Sequence, residues 1–92
     1  MPLLEPQALQ QAAASLPLWS VRAEALQRIY TFADFVAAMH FVNAVAALAE
    51  QQGHHPDIDI RYNQVHLRIY SHDSGGTTER DLRLARAIDA LA

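Results

Sequence analysis

The sequence predicts an α+β domain with seven elements in the order α-β-β-α-β-β-α. Three observations predict it. Residues 33–52 repeat apolar side chains at helical spacing. Residues 57–72 alternate apolar and polar side chains in two runs around a polar turn, which is the pattern of a β-hairpin. Gly53 and Pro56 stand between these two periods and mark a helix end and an extended restart.

In chain order, residues 5–15 read as a short helix with Leu9, Ala12 and Ala13 on one face and Gln7, Gln10 and Gln11 around it. Pro17 ends it. Trp19 follows, as a core or lid residue or as a cover for a planar ligand. Residues 19–32 read as two short strands with a turn near Ala23-Glu24. In the helix at 33–52, Phe35, Ala38, Met39, Val42, Val45, Ala46 and Ala49 form the apolar stripe, and Phe41 and Leu48 widen it. Thr31 or a neighbour caps this helix, Asp34 sits near its positive end, and His40, Asn43 and Glu50 lie opposite the stripe. In the hairpin, Asn63-Gln64 is the natural two-residue turn. That turn pairs Tyr62 with Val65, Ile60 with Leu67 and Ile58 with Ile69 and, extended, sets His55 opposite His72. Residues 71–76 form a loop whose glycines fit no phosphate-binding fingerprint. Thr77 or Thr78 caps a last helix running to residue 91, with Leu84, Ala85, Ile88 and Leu91 as its stripe. Asp81 falls on that stripe one turn earlier. A carboxylate there is either partnered at the core's edge or a plain first-turn acid.

Composition narrows the function classes. A chain of 92 residues, 51% apolar and 18% charged, is a single folded domain, 1–92. Its formal net charge is −3, and all seven basic residues are arginines, so no basic footprint for nucleic acid exists. There is no cysteine, hence no disulfide or thiolate metal site, and a reducing compartment is allowed. No apolar run is long enough to span a membrane, and Met1-Pro2-Leu3-Leu4-Glu5 is unlike a signal peptide, so the expectation is a cytoplasmic protein.

The chemistry concentrates in Gly53-His54-His55-Pro56 and in His72. Imidazole accepts or donates a proton near neutral pH, so this group is a candidate acid–base site; the alternative is a polar turn that carries histidines. A metal site from His54, His55, His72 and Asp81 is a further alternative. Adjacent residues of an extended chain point to opposite sides, which suits that convergence poorly, and no metal is expected.

Glu50, three residues, His54-His55-Pro56, five residues, Tyr62, nine residues, His72, eight residues and Asp81 form an ordered set. This set resembles the active-site signature of the pterin-4a-carbinolamine dehydratases. Tyr62-Asn63-Gln64-Val65-His66 and Thr78-Glu79-Arg80-Asp81-Leu82 also resemble that family, over about Trp19 to Ile88. Leu18, where glycine is usual, and Ser71, where threonine is common, depart from it. The resemblance implies a four-stranded antiparallel sheet with helices packed on one face. It implies dehydration of 4a-hydroxytetrahydropterin to quinonoid dihydropterin in tetrahydrobiopterin recycling, without cofactor. By carry-over, His54 and His72 are the proton-transfer pair, and His55 holds the pterin and shares that role. Asp81 orients or charge-stabilises an imidazole, and Glu50 and Trp19 belong to the pocket wall. The implied partners are the pterin, further copies in a homodimer or homotetramer, and an aromatic amino-acid hydroxylase in the same pathway. A non-catalytic dimerisation or assembly cofactor with the same fold is the competing reading; its expected sign is a lost histidine, and none is lost.

Overall fold

The computed structural model describes residues 1–91; the last residue of the expected domain, 92, lies outside the described residues. The elements are α1 (Pro6–Ser15), β1 (Ser20–Val21), β2 (Leu26–Thr31), α2 (Phe35–Gln52), β3 (Asp57–Arg61), β4 (Gln64–Ile69) and α3 (Glu79–Asp89). The order is the predicted α-β-β-α-β-β-α. All four strands form one antiparallel sheet in the order β1-β2-β4-β3, so β4 runs centrally and β3 lies at an edge.

The helices cover one face. Strand alternation sends Leu26 and Tyr30 of β2 and Val65, Leu67 and Ile69 of β4 into the core. There they meet Ala38, Phe41, Val42 and Val45 of α2 and Leu82, Leu84, Ala85 and Ile88 of α3. Phe41, read from sequence as surplus apolar surface, is buried, and Leu48 is half-buried against the same core. Among the described residues no helix is long and apolar enough to cross a membrane.

Two local expectations are corrected. Asp34, not Thr31, caps α2: its carboxylate accepts from the Ala37 N–H at 2.9 Å, while Thr31 is the last residue of β2. The hairpin turns on Tyr62-Asn63, not Asn63-Gln64, so Ile60 pairs with Val65 and Ile58 with Leu67. The cause is tertiary. Asn63 is bound to the segment before α2: its Nδ2 donates to the Phe32 carbonyl, and its own carbonyl accepts from the Phe32 N–H, both at 2.9 Å. Tyr62 therefore takes the left-handed position, at φ 54°. Within the strands the paired side chains keep their predicted faces, because the pairing slips by an even number, but Tyr62, expected opposite Val65 on the inner face, is a turn residue and exposed. The extended register, however, sets His55 level with Tyr70 and not with His72.

Candidate active site

Where α2 ends, Gly53 adopts φ 64° and ψ 30°, and the His54 N–H closes back onto the Ala49 carbonyl at 3.0 Å. This left-handed stop turns His54 off the helix axis and toward the start of α3. There Thr78 is the N-cap, and Asp81, in the first turn, accepts from the Thr78 N–H through Oδ2 at 2.7 Å. The same oxygen accepts from Ser71 Oγ at 3.0 Å, and Ser71 Oγ in turn accepts from Thr78 Oγ1 at 2.8 Å. The other oxygen, Oδ1, accepts from His54 Nε2 at 2.5 Å. Asp81 is completely buried, and the His54 side chain is 11% exposed. Asp81 thus sits in the first turn of α3 and is partnered there, by the Thr78 N–H, Ser71 and the His54 imidazole. A carboxylate that receives this many donors is held in one geometry, and it fixes the ring it binds.

His55 points elsewhere, as adjacent residues in extended chain do. Its Nε2 donates to Glu50 Oε2 at 2.5 Å, in an exposed pair. His72 is exposed in the loop after β4, and its ring meets that of Tyr70, with centroids 4.2 Å apart. His54, His55 and His72 line one open cleft of about 380 Å³, together with Gly53, Pro56, Asp57, Tyr70, Asp73 and Arg80. Arg80 Nη2 bonds Asp73 Oδ1 at 2.5 Å, and this bond holds the Asp73 carboxyl below the usual carboxylate range. Among the described residues no three histidine or carboxylate side chains converge as a metal-ligand set.

Of the residues singled out from sequence, His54, His55 and His72 line the cleft, Asp81 lies behind His54, and Glu50 bonds His55. Trp19 does not join them. It is buried in the core, where its Nε1 donates to Asp89 at 2.9 Å. Arg28 Nη1, at 2.8 Å, and the Tyr30 hydroxyl reach the same carboxylate. Burial, and then the bond to Asp89, push the Tyr30 hydroxyl above its ordinary range. Asp89 lies two turns along α3 from Asp81, so Trp19 belongs to a separate bolt between sheet and helix. Sequence reasoning missed Ser71, Tyr70, Asp73 and Arg80 as neighbours of the site. For Tyr70 a signal existed: it continues the outward row of β4 toward His72.

The protein is similar to known ones along nearly its whole length. The family model for Pterin 4 alpha carbinolamine dehydratase matches residues 2–91. A relative from Acidobacterium capsulatum, named "putative pterin-4-alpha-carbinolamine dehydratase", is 55% identical over 91 residues, 99% of each chain. A relative of the same name from Chloroflexus aurantiacus is 48% identical over 91 residues, 99% of this chain and 98% of its own. The crystal structure of a transcriptional coactivator/pterin dehydratase from Brucella melitensis superposes with a TM-score of 0.91 at 33% identity, covering 97% of each chain. This chain belongs to the pterin 4 alpha carbinolamine dehydratase family, a family of dehydratases, that is, hydro-lyases.

Proposed function

We propose that this protein dehydrates 4a-hydroxytetrahydropterin to quinonoid dihydropterin by histidine acid–base catalysis. The observation that carries the reading is the His54–Asp81 couple, a nearly buried imidazole fixed by a fully buried carboxylate at the wall of a histidine-lined cleft. The reaction asks for two proton movements. The C4a hydroxyl takes a proton as it leaves as water, and N5 of the pterin loses one; no electron is gained or lost. With Nε2 committed to Asp81, His54 has Nδ1 left for exchange with substrate. His72, exposed on the cleft, is the second proton-transfer group, and His55, steadied by Glu50, holds the pterin. The substrate's source would be an aromatic amino-acid hydroxylase in the same compartment, the cytoplasm, within tetrahydrobiopterin recycling.

The test is turnover of freshly generated 4a-hydroxytetrahydropterin. Wild type is expected to outpace the uncatalysed reaction and to keep its rate after exhaustive chelation. His54→Ala is expected to lose about 10²- to 10⁴-fold in kcat, the usual worth of an acid–base residue. A wild type no faster than buffer overturns the reading, and activity that vanishes with extracted zinc overturns its mechanism.

The double name of the Brucella melitensis structure favours a second reading, in which the same fold also serves as a non-catalytic assembly partner. A His54→Ala protein that is inactive yet keeps such a partner would separate the two roles.

A further inference from the structure

Three histidines line the cleft, and two of them have a carboxylate on the ring: Asp81 on His54 and Glu50 on His55. His72 has none among the described residues. What touches its imidazole is the ring of Tyr70, at 4.2 Å between centroids and tilted by 48°. The guanidinium carbon of Arg68 lies 4.4 Å from the centroid of the same tyrosine ring. These three residues share one row. Val65, Leu67 and Ile69 of β4 point into the core, so Arg68 and Tyr70 point to the other face, and His72 follows two residues on.

We propose that Tyr70 is the positioning residue for His72, with Arg68 stacked on its ring as the outer support. This rests on the dehydratase reading above, in which His72 transfers a proton. An exposed imidazole on a loop has free rotation about two side-chain bonds. A tilted aromatic neighbour restricts that rotation, because edge and face carry opposite partial charge. A cation over the tyrosine ring holds it from the far end of the row. β4 is an interior strand of the sheet, paired on both sides, so the row starts from rigid backbone. Neither residue is part of the ordered histidine and carboxylate set read from the sequence, so the device belongs to this chain's own side chains.

The experiment combines kinetics with the histidine ring resonances. Tyr70→Ala should lower kcat about tenfold with KM within about threefold, since a misplaced group costs up to about 10² when the reacting atoms are otherwise bound. Tyr70→Phe keeps the ring and should retain about a third or more of kcat; Tyr70→Leu keeps bulk without the ring and should behave like Tyr70→Ala. In a His72→Ala background, Tyr70→Ala should cost nothing further, because both changes remove one interaction. The His72 ring-proton shifts should move in Tyr70→Ala and Tyr70→Leu toward those of free histidine and stay in Tyr70→Phe. Arg68→Ala leaves every cleft side chain in place, and it serves if Tyr70→Ala fails to fold; it should lower kcat by about two- to threefold and shift the same resonances. Additive losses in the double variant, or His72 resonances that ignore the loss of the ring, overturn the proposal. A wild type without dehydratase activity overturns the proposed function instead, and the resonances then still decide whether Tyr70 holds His72.

Discussion

At the scale of single residues, Asp81 carries the most consequence. Each of its oxygens has a separate task, Oδ2 closing α3 and receiving Ser71, Oδ1 receiving His54. Asp81→Asn offers one acceptor where two were used. If the amide oxygen stays with the Thr78 N–H, the amide nitrogen faces His54, whose Nε2 must then accept and whose proton must move to Nδ1. If the amide is flipped, two donors meet at the helix cap. We expect kcat to fall about ten- to a thousandfold, within the range for acid–base groups. Stability should drop by about 1–3 kcal/mol from the under-satisfied cap, with the fold retained. Steady-state kinetics, a denaturant titration and ¹⁵N shifts of the His54 ring check all three, and a variant with wild-type turnover would reduce Asp81 to a helix-end acid. That Asp81 faces inward was legible, because it falls one turn before Leu84 and Ala85 on the stripe. Its partner was not, since His54 lies 27 residues away, and helix packing brings the two together.

At the scale of elements, the two ends that aim the site depend on glycine for different reasons. Gly53 sits at φ 64°, and a Cβ there would meet nothing within 4 Å. Gly53→Ala therefore costs only the left-handed backbone penalty, about 1 kcal/mol. Gly76 has no such φ, but its Cβ would stand 2.5 Å from the Ala23 carbonyl oxygen, which is backbone and cannot swing away. Gly76→Ala should be the more destabilising of the two. Thermal melts should show a fall of about 4–8 °C for Gly53→Ala and a larger one for Gly76→Ala; the reverse order would mean that the loop after β4 relaxes freely. The helix stop at Gly53 was readable from chain order alone. The contact at Gly76 was not, because it joins the loop to the turn between β1 and β2, far away in sequence.

At the scale of the whole molecule, the covered and uncovered apolar surfaces bear on assembly. Phe41 is spent inside the core, but Phe35, Val36, Ile60 and Tyr62 remain exposed. The bonds between Phe32 and Asn63 hold the segment before α2 beside the hairpin tip, where Tyr62 forms the turn. β3 next to it has a partner on one side only. Apolar surface beside an open strand edge favours pairing with another chain. We expect a homodimer or homotetramer in light scattering at micromolar concentration, shifted toward monomer by Val36→Glu. A strict monomer of 10.2 kDa in wild type would refute this.

Periodicity located the long helix, the β-hairpin and the last helix and most of their inward positions, because burial repeats about every 3.6 or every 2 residues, although Phe35 and Leu91, placed on the apolar stripes, are exposed and Phe41, placed beside the stripe, is buried. It also determined that the histidines flank a helix stop and a loop, and the spacing of the chemical residues carried the family resemblance. Only the tertiary structure decided the hairpin register, where Asn63 is claimed by Phe32 and the turn moves to Tyr62-Asn63. Only it decided that Asp81 serves His54, that Trp19 bolts to Asp89 away from the cleft, and that Tyr70 stands against His72. Local pattern records whether a side chain faces the core. Which side chain it meets there depends on how distant segments pack, and no single stretch of sequence encodes that.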